Sequence, residues 1–171
     1  PVVEIDQSGT VTFANGDTIT AGQIVLAIPP RVIATIKITP DFDAAVRQSL
    51  INIPTWMGGQ AKFVATYARP FWRDEGLSGD AMSRHGPMVE IHDASAMDGS
   101  PGALFGFIGV PAAQRDGQSD ALRAASIAQL GRLFGPEALK PQKTELRDWA
   151  YAPQTASALD HQALGAHPRY G

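Results

Sequence analysis

The sequence predicts an α+β fold, a mixed or antiparallel β-sheet flanked by helices, and three observations carry that expectation. Short β-branched and aromatic runs near the N-terminus are separated by Ser-Gly and Asn-Gly turn pairs. Further apolar or alternating runs at 60–68, 87–92, 103–110 and 143–150 have the length of strands. Two segments, 41–50 and 119–134, instead space their apolar residues with helical period.

Val2-Val3-Glu4-Ile5, Thr10-Val11-Thr12-Phe13 and Ile19 through Ile28 read as a three-stranded meander. Its turns, Gln7-Ser8-Gly9 and Asn15-Gly16-Asp17, contain residues that accept the positive φ of tight hairpin loops. The end of the third run, Gln23-Ile24-Val25-Leu26-Ala27-Ile28, is apolar on both faces, as in a strand covered on both sides. Pro29-Pro30 stops it, because neither proline can donate to a ladder. Asp41 is placed to cap a helix running to Leu50, with Phe42, Ala45, Val46 and Leu50 on one side. The strands at 87–92 and 103–110 flank a polar connection, Asp93 through Gly102. A longer helix over 119–134 gathers Leu122, Ser126, Ile127, Leu130, Leu133 and Phe134 in one stripe and stops at Gly135-Pro136. From Ala152 onward small and polar residues indicate a loop.

A chain of 171 residues, 44% of them apolar, can bury one ordinary core, or one domain with part of another. It opens directly on strand residues without an initiator Met and closes after a loop-like run, as expected of an excised piece of a longer protein. Fourteen Lys and Arg against 17 Asp and Glu, evenly spread, give a net charge of −3 and no footprint for nucleic acid or anionic lipid. No apolar run reaches the roughly 18 residues that span a bilayer, so no membrane partner is expected. The absence of Cys rules out disulfides, thiolate metal sites and cysteinyl cofactor linkages, and makes a reducing compartment, the cytoplasm, the default location.

The chain contains no G-x-S-x-G, Walker, H-E-x-x-H or G-x-G-x-x-G motif. Gly58-Gly59-Gln60-Ala61-Lys62 lacks phosphate-loop spacing and runs into a strand. The histidines at 85, 92, 161 and 167 do not have zinc-ligand spacing, and no metal is expected. Glu90 and His92 share a strand face at i, i+2, where they either line a cavity or lie on a wetted surface. Lys62 is either a strand end with its ammonium in water or a functional lysine fixing an ordered water beside a cofactor. Trp149 divides similarly between core aromatic and cavity wall.

Taken in order, Val25-Leu26-Ala27-Ile28-Pro29-Pro30, the Lys62 strand, Pro70-Phe71-Trp72-Arg73, Ser78-Gly79, Gly86-Pro87, Phe105-Gly106-Phe107-Ile108 and Trp149 resemble the flavin-containing amine oxidases, the monoamine oxidase family. The resemblance implies that residues 1–30 are the β-meander and return strand of an FAD-binding domain, 31–148 the latter half of a substrate domain, and 149–171 the start of the return to the FAD domain. It implies cofactor contacts at Val2, Ala27 and Trp149, a catalytic Lys62 that holds a water against the flavin, and substrate contacts at Met82, Glu90, His92 and Phe107. The reaction implied is oxidation of an amine C–N bond to an imine, with O2 as acceptor and release of H2O2. Thr155-Ala156-Ser157-Ala158 stands where some members carry a flavin-linking Cys, so the FAD is expected to be non-covalent. An aromatic residue of the family's amine sandwich is also absent there; with Glu90 and His92 this points away from a simple monoamine towards a polar or cationic substrate. Without a glycine-rich dinucleotide turn, the isolated piece is expected to be inactive and to need the remainder of its own FAD domain. The rival readings are a protoporphyrinogen oxidase or carotenoid desaturase relative, and a noncatalytic binding domain on the same scaffold.

Overall fold

This computed structural model describes residues 1–161; His167 and the rest of 162–171 lie outside the described residues. The fold is α+β, with a mixed four-stranded sheet and an antiparallel five-stranded sheet. The chain forms two compact units, residues 1–59 together with the segment from Ala150, and residues 60–149.

In the first unit, β1 (Val2–Asp6), β2 (Thr10–Phe13), β3 (Thr18–Thr20) and β4 (Lys37–Thr39) lie in the order β3-β2-β1-β4. The β1–β4 pair is parallel and the others are antiparallel. Ile5, Ile36 and Ile38 are buried together, with Ile24, Leu26 and Phe42 packed against them. The third strand is shorter than its sequence suggests: it stops at Thr20, and 23–28 is not strand. That apolar run has no ladder partner among the described residues, so Ile24 and Leu26 pack inward while Val25 is 86% exposed. A short helix, α1 (Pro30–Ile33), then uses the proline at its first turn, where no N–H is needed, and leads to the parallel strand β4.

Helix α2 (Ala44–Asn52) starts later than the sequence suggests and runs past Leu50, so Phe42 lies before it and Asp41 does not cap it. The Asp41 carboxylate accepts from the Phe42 N–H at 2.8 Å and pairs with Arg47, whose Nη1 also reaches the Ala34 carbonyl. No residue of α2 is fully buried. A second anchor of this unit is Asp160, which the sequence did not single out. It accepts from Arg31 Nη1 at 2.6 Å, from the N–H groups of Thr55 and Ser157, and from the Ser157 hydroxyl. Burial alone would raise this carboxyl, but these donors outweigh it and hold the group below the usual carboxylate range.

The second unit is built on β5 (Ala61–Tyr67), β6 (Ala81–Met82), β7 (Met88–Asp93), β8 (Gly102–Ile108) and β9 (Lys143–Asp148), in the order β6-β7-β8-β5-β9. Strand β5 alternates strictly: Ala61, Phe63, Ala65 and Tyr67 are buried, while Lys62, Val64 and Thr66 are half-buried on the other face. Phe63, Met88, Ile91, Leu104 and Ile108 form the inner face and meet Leu130 and Phe134 of α4 (Ser119–Phe134). Each such side chain contributes about 1.5–3 kcal/mol by leaving water. Between β8 and α4 the chain makes one further turn of helix, α3 (Ala112–Arg115).

The Pro70-Phe71-Trp72-Arg73 segment closes one end of this core. Trp72 is fully buried and meets Tyr67, Phe71 and Phe134 at ring centroid distances of 5.8, 5.0 and 6.4 Å. Its indole Nε1–H donates to Asp93 at 2.9 Å. Gly79, at φ +84°, passes so close that a Cβ there would lie 2.7 Å from that nitrogen. No helix among the described residues is long and apolar enough to cross a membrane.

Candidate functional site

The face of the five-stranded sheet opposite this core collects most of the residues that the sequence points to. Cross-strand register places Met82 opposite Glu90, Glu90 opposite Phe107, Phe107 opposite Lys62, and Lys62 opposite Arg147. One row therefore crosses all five strands. A second row runs beside it, with His92 opposite Phe105, Phe105 opposite Val64, and Val64 opposite Glu145.

A bulge makes the arrangement possible. Regular alternation along Met88-Val89-Glu90-Ile91-His92 would put Met88 on the same face as Glu90 and His92. The register instead shifts between Met88 and Glu90, so Met88 and Ile91 both enter the core while Glu90 and His92 stay opposite.

The Lys62 ammonium lies 5.7 and 5.3 Å from the ring centroids of Phe105 and Phe107, which meet each other edge to face. Among the described residues it has no carboxylate partner and no protein hydrogen-bond acceptor. Its neighbour across the ladder is another cation, Arg147, whose guanidinium lies 5.0 Å over the Trp149 indole. Two like charges directly opposed are unfavourable. Stacking on aromatic faces offsets part of that cost. Trp149 itself follows β9, and its backbone N–H donates to the Gln60 carbonyl at 2.9 Å.

At the other side of the face, the His92 ring is held at both nitrogens. Nε2 is 2.8 Å from Glu90 Oε1, Nδ1 is 3.0 Å from Asp80 Oδ1, and the ring stacks on Phe105 at 6.3 Å. The Glu90 and Asp80 hydrogen bonds favour the imidazolium and raise the His92 pKa above its ordinary value. Met82, 86% exposed, ends the row. No group of three or more His, Asp or Glu side chains among the described residues is placed to hold a metal ion.

The remaining two residues lie in the first unit. Val2 is half-buried in β1 opposite Phe13, and Ala27 is exposed in the segment that follows β3, not in a strand. Asp80, Phe105 and Arg147 were not singled out as site residues. Phe105 and Arg147 could have been found by parity, two positions from Phe107 and Trp149. Asp80 carried no such signal, because its approach to His92 depends on the pairing of β6 with β7.

Residues 1–169 match the family described as flavin containing amine oxidoreductase, and the chain belongs to that family, whose members bind FAD. It is 32% identical over 142 residues to the probable flavin-containing monoamine oxidase A of Dictyostelium discoideum, covering 82% of this chain and 31% of that protein. It is 30% identical over 165 residues to the putrescine oxidase of Kocuria rosea, covering 90% and 32%. Its fold superimposes on a putrescine oxidase structure with bound putrescine at a TM-score of 0.72 and 27% identity, covering 91% of this chain and 35% of that one. The chain thus spans about a third of the length of the relatives it matches.

Proposed function

We propose that this chain supplies the substrate-facing sheet of an FAD-dependent amine oxidase that converts an amine to an imine with O2 as acceptor and releases H2O2. The observation that carries the reading is the row Met82–Glu90–Phe107–Lys62, with Trp149 beside it. It sets one ammonium, without an ion-pair partner among the described residues, and one carboxylate on either side of an aromatic wall.

The residues fit a non-covalent flavin. Lys62 offers donors that no described protein group uses, between aromatic rings, which suits a hydrogen-bond-accepting planar ring system and a water held against it. When bound, the flavin supplies the two-electron acceptor for C–N oxidation and the route of those electrons to O2. Lys62 holds the water and places a positive charge beside it. Phe105 and Phe107 exclude bulk water, and Glu90 holds a polar or cationic group of the amine. Val2, Ala27 and Trp149 would contribute contacts to FAD. Residues 1–30 and 149–171 belong in this reading with the FAD-binding domain and 31–148 with the substrate domain. Its partners are a small-molecule amine and the remainder of the FAD domain, in the cytoplasm.

The test is the full-length protein containing this chain. A yellow protein that bleaches anaerobically on adding an amine, and regains its colour in air with formation of H2O2, supports the reading. A colourless protein would leave a noncatalytic scaffold, and bleaching only by a substrate without an amine would favour the C–C-oxidising relatives.

A further inference from the structure

The Asp80–His92–Glu90 arrangement does more than place polar groups on the face. Glu90 stands in the row with Phe107 and Lys62, whereas His92 stands in the next row with one ring nitrogen on Glu90 and the other on Asp80. The ring cannot swing away without losing both bonds and its stacking on Phe105. An imidazole held between two carboxylates has two states. With both nitrogens protonated it donates to both carboxylates and carries a positive charge against Glu90. With one proton it donates to only one of them.

We propose that His92 is a specificity-determining, positioning residue: its protonated ring neutralises Glu90 and withholds that carboxylate from a cationic group of the substrate, and its neutral ring releases it. The inference rests on the reading of this face as the amine-binding side. Among the described residues the groups facing His92 are Asp80, just before β6, Glu90 on its own strand, and uncharged Phe105 on β8, with the Lys62 ammonium of β5 5.7 Å from the centroid of that ring. The two carboxylates hold the proton on His92 to higher pH than an isolated imidazole would, and all three side chains are partly open to solvent, so the exchange occurs in contact with water. A cation docked on Glu90 competes with the imidazolium, and by linkage lowers the affinity of His92 for its proton.

The test uses the full-length protein with 1,4-diaminobutane and butylamine as probes. The ratio of their KM values cancels the deprotonation that both amines need before oxidation. From about pH 6 to about pH 9 the preference for the diamine should rise by several-fold to about tenfold, in KM rather than kcat. His92→Gln should remove the pH dependence and leave the preference high throughout. Asp80→Asn should move the rise to lower pH, an effect that a purely structural role would not produce. A flat ratio in the unaltered protein, or a rise that survives His92→Gln, would overturn the proposal. If no amine is oxidised, the functional reading fails, and the proposal is decided by histidine-selective 15N NMR. Adding 1,4-diaminobutane should lower the His92 titration midpoint while butylamine has less effect, and equal or absent shifts would overturn it.

Discussion

Gln129, in the middle of α4, makes both backbone hydrogen bonds of Met88: Oε1 accepts from the Met88 N–H at 2.8 Å and Nε2 donates to the Met88 carbonyl at 2.7 Å. The contact falls where the register of β7 shifts, and it ties the helix to the bulge that turns Glu90 and His92 outward. Gly86 leaves room for it, since a Cβ there would lie 2.4 Å from Gln129 Oε1.

Gln129→Leu should therefore strand a buried N–H and a buried carbonyl and cost about 3 kcal/mol. The urea midpoint should fall with the slope unchanged. Gly86→Ala should act in the same direction by displacing the same amide and by straining a backbone at φ +104°. If Gln129→Leu leaves the midpoint unchanged, the amide is not the pin.

Arg115 and Asp148 form a two-pronged pair, with Nε and Nη2 of the arginine donating at 2.6 and 2.8 Å, and Arg115 Nη1 donates to the Val110 carbonyl at 2.6 Å. Arg115 is 3% exposed. Asp148→Ala leaves that guanidinium buried without its carboxylate and should cost about 3–5 kcal/mol. Arg115→Met combined with Asp148→Leu should cost less than Asp148→Ala alone, which a double-mutant cycle by urea unfolding checks.

Asp93 responds to acid in a defined direction. Its partial burial pushes the carboxyl up, but the Arg73 Nε–H, the Ser95 N–H and the Trp72 Nε1–H favour the carboxylate and bring it from 3.8 to about 2. A depressed carboxylate stabilises the fold fully above its unfolded value and loses that contribution as the pH falls through the folded one. Unfolding measured from about pH 5 to about pH 2 should show this loss, and Asp93→Asn should flatten it in that window.

Lys62→Met separates chemistry from folding. The ammonium has no described ion-pair partner and faces Arg147 across the ladder, so stability should change by less than about 0.5 kcal/mol. In the full-length protein, reoxidation of the reduced flavin by O2 should slow on the order of tenfold to a hundredfold, more than anaerobic reduction by the amine slows. Stopped-flow measurement of the two half-reactions distinguishes them, and equal slowing of both would count against the assigned role.

Much of the fold was legible because its signals are local. Ala61, Phe63, Ala65 and Tyr67 alternate with Lys62, Val64 and Thr66, and the strand's period of two puts Lys62 on one face with Val64 and Thr66. The helix over 119–134 was marked by its apolar stripe and its Gly-Pro stop. Strands of two or three residues, β4 and β6, are too short to carry a period. Asp41 has the chemistry of a cap, but Arg47 takes its carboxylate. Gln129, one position from Leu130, carries no local signal of its contact with Met88, which depends on β7 and the helix meeting in space.

The sequence by itself determined most of the longer helices and strands, the alternation of side chains along regular strands such as β5, and that Glu90 and His92 share a face. Those properties follow from backbone sterics and side-chain period over a few residues. Only the tertiary structure decided that Met82, Glu90, Phe107, Lys62 and Arg147 form one row, that Asp80 closes on His92, and that residues 23–28 have no ladder partner among the described residues. Register and ion pairing depend on groups that are distant in the chain, here on the bulge in β7 and the order β6-β7-β8-β5-β9, so no local pattern could encode them.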